Sequence, residues 1–273
     1  MNGRPAPRVL SIAGSDSSGG AGIQADVKTI AALGGYALTA ITAITAQNTM
    51  GVQRAEVLET DLVLAQVDSC LADIGADAIK IGMLGSAETA RALAARLDGF
   101  AGTIVFDPVM VATSGAVLAD PATIAAFGEL MTLATVVTPN LPELAALHGA
   151  ALEEDGILAA AEVLARRHDT VVLAKGGHGE GGNIVDRLVS GKGRMASFTD
   201  ARIDTVHTHG TGCTLSAALA TLLGHGLPLT HAARLARGFV RRAILAAPGL
   251  GAGAGPLGHH AVGAVSLAEA GRS

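Results

Sequence analysis

The sequence predicts an α/β protein, a three-layer α/β/α sandwich around a mostly parallel central sheet. Short apolar runs bounded by glycine alternate with helix-length segments for most of the chain, which writes β-α-β-α. The runs look like buried, parallel-type strands, covered on both faces. Hydrophobic residues make up 49% of the 273 and charged residues 16%, so the chain can bury a large core and is not a disordered tail.

Taken in order, strands are expected at Val9 to Ala13, Ala37 to Ala43, Ala78 to Ile81, Thr103 to Phe106, Thr135 to Val137 and Val171 to Ala174. The intervening helices are expected at Ile23 to Leu33, Asp61 to Asp73, Ser86 to Leu97, Pro121 to Met131 and Ile157 to Arg167. A glycine-punctuated section, Gly176 to Gly193, leads to a hairpin of Ile184 to Leu188 against Arg194 to Phe198. Two Ala/Leu helices follow, Thr214 to Leu223 and Thr230 to Leu245. The uncharged stretch Thr29 to Gln53 has the length of a membrane span, but Gly34-Gly35 and Gln47-Asn48 fit a helix end, a turn and a buried strand better. No repeat or boundary is visible, so residues 1–273 are expected to form a single domain.

A formal net charge of -5 with no basic block, one Tyr and no Trp argues against a nucleic-acid binder. The two cysteines, Cys70 and Cys213, make neither a disulfide framework nor a four-ligand zinc site. The N-terminal apolar run Val9 to Gly14 is shorter than the ~7 to 15 residues of a secretory core, so a cytoplasmic location is expected. Thirty-six glycines point to many tight turns or close approaches to something bound.

In open α/β sheets ligands sit at the carboxyl ends of the strands, so the strand-to-helix loops carry the chemistry. His209-Gly210-Thr211-Gly212-Cys213-Thr214-Leu215-Ser216 is a glycine-rich turn running into an apolar helix, an arrangement that offers backbone N–H groups and a helix dipole to an anion. In that first turn Cys213 is expected to have a lowered pKa and to accept a proton from a substrate hydroxyl; its bland alternative is a small buried cysteine. Gly20-Ala21-Gly22-Ile23-Gln24-Ala25 fits the dinucleotide pattern, yet no Asp or Glu lies between Val27 and Ala55 to hold a ribose, which weakens a dehydrogenase reading. Asp26, one helical turn in, either points back at a substrate or is an ordinary helix residue. Asn140, Pro142 and Glu143 suit a helix start. Lys175 and Asp107 both end strands, the first suited to a phosphate and the second to a cation or a turn. No Walker A loop is present, and His259-His260 read as tail histidines.

Together these motifs resemble the hydroxymethylpyrimidine/phosphomethylpyrimidine kinases of thiamine biosynthesis, a branch of the ribokinase-like superfamily, from about Arg8 to His260. The carrying segments are Ile12 to Asp26, Thr45-Ala46-Gln47-Asn48-Thr49, Lys80-Ile81-Gly82-Met83-Leu84, Asp107-Pro108-Val109-Met110, Thr138 to Glu143, Lys175-Gly176-Gly177-His178 and His209 to Ser216. The resemblance implies ATP-dependent phosphorylation of a hydroxymethylpyrimidine and then of its monophosphate. It places Gly14, Asp26, Gln47, Met83 and Val109 at the pyrimidine, Gln47 reading the ring edge with an amide that both donates and accepts. It makes Cys213 the base, with Gly210, Thr211 and Gly212 in the anion hole. Lys175, Asn140 and Thr211 would meet ATP, and Glu143 and Asp107 Mg²⁺, with room for a monovalent cation. A flap over Met110 to Gly115 and a homodimer are also implied. Ser17 stands where some members carry proline, and Gly251 to His260 looks looser than the usual ending. The rival readings are a vitamin B6 kinase, a non-catalytic vitamin sensor and an NAD-dependent oxidoreductase.

Overall fold

Central strands send successive side chains to two separate cores, as a sheet covered on both faces requires. The computed structural model describes residues 5–112, 115–178 and 181–262. They form β1 (Arg8–Asp16), α1 (Gly22–Ala32), β2 (Tyr36–Asn48), β3 (Gly51–Val57), α2 (Thr60–Asp73), β4 (Ala78–Ile81), α3 (Ala87–Leu97), β5 (Thr103–Phe106) and α4 (Pro121–Leu133). There follow β6 (Val136–Val137), α5 (Leu141–His148), α6 (Gly156–His168), β7 (Val171–Ala174), β8 (Asn183–Ser190), β9 (Gly193–Ala201), α7 (Thr211–Gly224) and α8 (Leu229–Leu245). Ile79, Ile81, Ile104 and Phe106 join the layer of α2 to α6, represented by Val67, Leu93, Phe127, Leu144 and Leu164. Ala78 and Val105, one residue out of phase, join the layer of α1, α7 and α8 through Ile30, Leu219 and Phe239.

The sheet has nine strands in the order β3-β2-β1-β4-β5-β6-β7-β8-β9. Pairs from β2 through β7 are parallel, whereas β3, β8 and β9 are added antiparallel at the two edges. The chain leaves β1 toward β2 on one side and resumes at β4 on the other, so strand order reverses between β1 and β4. A crevice opens at the carboxyl ends of the strands at such a switch point.

Two edge features differ from expectation. β2 runs on to Asn48 and pairs with β3, a strand that the sequence does not announce because it is exposed along most of its length. The C-terminal segment is tied down instead of loose: Gly258 N–H donates to the Ala243 carbonyl at 2.8 Å, and Pro256 bridges to His209. Among the described residues no helix is long and apolar enough to cross a membrane.

Candidate functional site

A cavity of about 1230 Å³ occupies the switch point. One small molecule usually fills about 300–1,000 Å³, so there is room for two ligands side by side. The first turn of α7 lies at its centre. Gly210, the N-cap, has φ 85° and no side chain caps the turn; the Thr211 N–H reaches the Thr208 carbonyl at 3.2 Å, and those of Gly212 and Cys213 are left for a ligand. A Cβ on Gly210 would collide with the Gly20 carbonyl, so the glycine is needed both for its backbone angle and for the close approach of the two loops. Thr211, Gly212 and Cys213 continue that turn and line the cavity.

On one side of the turn lie Asp107, at the end of β5, and Lys175, just after β7. Lys175 Nζ is 2.8 Å from Asp107 Oδ1 and 3.8 Å from Glu143. Thr138 Oγ1 donates to Asp107 Oδ1 at 3.0 Å, and Ser216 Oγ lies 3.2 Å from Oδ2 with its hydrogen shared with the nearer Gly212 and Cys213 carbonyls at 3.0 and 3.1 Å. Burial works against the charged form of Asp107, but Lys175 and Lys80 outweigh it and hold the carboxyl below its ordinary value. Burial pushes the Glu143 carboxyl up to about 7, with Lys175 pulling it down and Asp107 pushing it further up. A carboxyl so placed favours an added cation. Asn140 and Glu143 also form the reciprocal helix cap expected from their spacing, each bond 2.8 Å. Among the described residues no group of three His, Cys, Asp or Glu gathers for a metal. Mg²⁺ is commonly held by one or two carboxylates together with substrate phosphates, so Asp107 and Glu143 fit that ion in the company of ATP.

Beneath the turn the structure corrects two expectations. Asp26 does not line the cavity: it is fully buried, with Oδ2 2.8 Å from Lys80 Nζ and 2.6 Å from Ser11 Oγ. Lys80 lines the cavity floor instead. The Cys213 thiol is not lowered. Burial pushes it up to about 11, Asp26 and Asp107 reinforce that, and Lys80 and the Gly22 amide pull the other way without prevailing. A helix dipole favours the thiolate, but desolvation and the two carboxylates that folding brings close outweigh it.

At the other end of the cavity lie Gly14, Gln47, Met83 and Val109. Gly14 faces the Met83 side chain, and a Cβ there would strike its tip. The Gln47 amide reaches to 3.3 Å from His209 Nε2, and the same ring nitrogen is 2.8 Å from Asp16 Oδ2. Asp16 in turn gathers the backbone N–H groups of Ser18, Gly20 and Ala21 at 2.8, 3.1 and 2.8 Å, and so shapes the glycine loop. Lys80, Asp16 and His209 are the site residues that motif reading leaves unassigned. A lysine inside the four-residue apolar strand β4 is the one signal available, because a buried charge demands a partner.

Toward β8 and β9 the wall turns apolar, with Ile184, Ile203, Leu215, Val240 and Ile244. Arg237 is pinned there between Asp186 at 2.6 Å and Asp200 at 2.8 Å, and Asp186 also accepts the Gly176 N–H at 2.7 Å, next to Lys175. The expected flap begins with Met110, Val111 and Ala112 on the cavity wall and a bridge from Val111 to Val117; its tip, residues 113 and 114, lies outside the described residues. His259 is not a free tail residue. Its ring is buried and 2.8 Å from Thr214 Oγ1 in the first turn of α7, and burial holds its pKa down to about 4.

Residues 16–258 match the family model described as phosphomethylpyrimidine kinase. The hydroxymethylpyrimidine/phosphomethylpyrimidine kinase of Rhizobium meliloti is 48% identical over 255 residues, covering 92% of this chain and 96% of that protein. A thiamine biosynthesis multifunctional protein of Corynebacterium efficiens is 44% identical over 94% of this chain, which spans only 35% of that protein's length. Among solved structures, the pyridoxal kinase from Staphylococcus aureus in complex with AMP-PCP and pyridoxal superposes with a TM-score of 0.85 at 33% identity, covering 94% of each chain. The phosphomethylpyrimidine kinase from Clostridium difficile gives 0.76 at 37% identity, covering 87% of this chain and 99% of that one.

Proposed function

The chain belongs to the phosphomethylpyrimidine kinase family, and from that premise we propose that it phosphorylates 4-amino-5-hydroxymethyl-2-methylpyrimidine with ATP, and then the resulting monophosphate, to supply thiamine biosynthesis. The observation that carries this reading is the convergence of an uncapped helix start, a lysine and two buried carboxylates between the two ends of one cavity. Phosphoryl transfer calls for positioning and charge stabilisation more than for covalent chemistry, and this arrangement supplies both.

In the first step the substrate hydroxyl oxygen bonds to the γ-phosphorus of ATP, the bond to the bridging oxygen breaks, and ADP leaves. The N–H groups of Gly210, Gly212 and Cys213 would meet the transferring group, with Thr211 in the same turn and Lys175 beside it. The apolar wall of Ile184, Ile203, Leu215, Val240 and Ile244 would take the adenine, and Asn140 would lie along the phosphates. Glu143 and Asp107 would hold Mg²⁺, which would supply positive charge against that of the ATP phosphates. Cys213 would take the hydroxyl proton. The second step attacks with a phosphate oxygen already ionised and depends less on that residue. A single catalytic domain, a cytoplasmic location and a homodimer belong to the same reading.

The likeness to pyridoxal kinases is a specific reason to test a second substrate. The purified protein is incubated with Mg-ATP and equal amounts of hydroxymethylpyrimidine and pyridoxal, and the products are weighed by mass spectrometry. A pyrimidine bearing two phosphates is expected; pyridoxal phosphate alone overturns the assignment in favour of vitamin B6 salvage.

A further inference from the structure

We infer that His209, oriented by Asp16, fixes which way the Gln47 amide faces and thereby sets the polarity of the ring edge that the pocket accepts: an amino group beside an unprotonated ring nitrogen, in preference to a carbonyl beside a ring N–H. The inference rests on the reading of Gln47 as the residue that meets the substrate ring.

The oxygen and nitrogen of an amide have the same shape and are told apart by their partners. Asp16 accepts from three backbone N–H groups and from Ser18 Oγ. Burial alone would raise it, yet bonds from His209, Ser18 and Ala21 hold it below its ordinary value, so it is a carboxylate. The His209 Nε2 lying 2.8 Å from that carboxylate therefore carries the hydrogen and donates it. As placed, Gln47 Nε2 lies 3.3 Å from that nitrogen and Oε1 3.2 Å from Thr45 Oγ1; the two ends of an amide exchange without change of shape, and the end beside His209 faces an N–H. Only its oxygen is compatible with that neighbour. The far end of the amide is 3.2 Å from Thr45 Oγ1, whose own hydrogen goes to the Ser15 carbonyl at 2.9 Å. A hydroxyl whose hydrogen is committed offers lone pairs, and an amide N–H meets them. Both ends give one answer, the amide turned over from that placement, with oxygen toward His209 and nitrogen toward Thr45.

A primary amide has two lone pairs and two N–H bonds. At the sides one lone pair faces the His209 N–H that is shared with Asp16, and one N–H meets Thr45, leaving a lone pair and an N–H next to each other on the outer edge. That edge matches the 4-amino group and adjacent ring nitrogen of an aminopyrimidine. Turned over, it would match the 4-oxo ring, but the turn sets N–H against N–H and oxygen against oxygen at the two sides. A hydroxypyridine such as pyridoxal has no adjacent donor and acceptor on its ring to satisfy both positions. Gly20 makes the arrangement possible, since a Cβ there would strike the His209 ring.

The test compares kcat/KM, with saturating Mg-ATP, for the aminopyrimidine and its 4-oxo counterpart in the intact protein, His209→Phe, His209→Gln and Thr45→Val. The unmodified protein is expected to favour the amino ring. His209→Phe frees the amide to turn, and the amino-to-oxo ratio should fall by about tenfold or more, chiefly through KM, which corresponds to one or two net hydrogen bonds. His209→Gln returns an N–H near the Nε2 position and should restore most of the ratio. Thr45→Val releases the other end of the amide and should move the ratio in the same direction as His209→Phe. An unchanged ratio in His209→Phe and Thr45→Val, with both rings losing equally, overturns the inference, because a residue needed only for shape weakens both alike. Equal use of the two rings by the unmodified protein overturns it too. Turnover of pyridoxal with neither pyrimidine used overturns the functional reading instead.

Discussion

Lys80–Asp26 and Lys175–Asp107 are ion pairs of equal length, 2.8 Å each, at the same edge of the sheet. The first has both side chains at 0% exposure, whereas in the second the lysine keeps 14% and the aspartate 2%. Their hydrogen bonding differs as well. Asp26 has Ser11 and Lys80 on Oδ2 and no partner at Oδ1, while Asp107 has Thr138, Ser216 and Lys175 spread over both oxygens. A lysine whose partner stays satisfied without it can be lent to a phosphate. A lysine whose partner would be left charged and almost bare cannot. One pair is thus part of the floor and the other part of the chemistry.

The largest effect expected is on the floor. Lys80→Met leaves a buried carboxylate with one hydrogen bond and should cost about 3–5 kcal/mol of stability, read from chemical unfolding, while Lys80→Met with Asp26→Leu should recover much of it. A neutral single substitution breaks the distinction. Next comes Lys175→Met, which should lower kcat/KM by about 10²–10³-fold with little change in melting temperature; a large loss of stability would show that this pair, too, is structural. Cys213 feels charges from both pairs. In a Cys70→Ser background its alkylation by iodoacetamide should be on the order of a hundredfold slower at neutral pH than that of free cysteine. The rate should climb with pH as thiolate forms, with a midpoint near 11. Lys80→Met should move that midpoint up, because the charge opposing the two carboxylates is gone. A midpoint near 8 would restore the simple helix-start account. Smallest is the contrast between the aspartates' hydroxyl donors: Ser11→Ala should cost about 1.5 kcal/mol, and Ser216→Ala, whose bond to Asp107 is long at 3.2 Å, about half as much.

The two pairs also mark how far the sequence can be read. β4, β5 and β7 lie at the residues where the apolar runs put them, because a strand buried on both faces leaves a mostly apolar signature, broken in β4 only by Lys80. β3 is missed since Gly51–Val57 is largely solvated and its pairing with β2 is a matter of backbone, not side-chain burial. Asp107, Glu143, Lys175 and Cys213 can be located in the sequence because each sits at a strand end or helix start with its own local grammar. Asp26 and Lys80 reveal nothing locally about which will face the ligand. Their roles depend on a side-chain contact between α1 and β4, across 54 residues of chain. The direction of the Cys213 shift fails for the same reason: helix dipoles are local, whereas desolvation and neighbouring carboxylates are tertiary.

The close approach of the Gly210 backbone to the Gly20 carbonyl bears on when the site comes into being. One partner lies in the first loop and the other just before α7, so the contact waits until nearly the whole chain is available. Contacts across such separations form late, after the entropy of closing the intervening chain has been met. On a ribosome the N-terminal strands emerge first and can pair while α7 is still being made. The nascent chain therefore has a sheet but no phosphate cradle, and nucleotide turnover is deferred until synthesis has passed the helix that completes it.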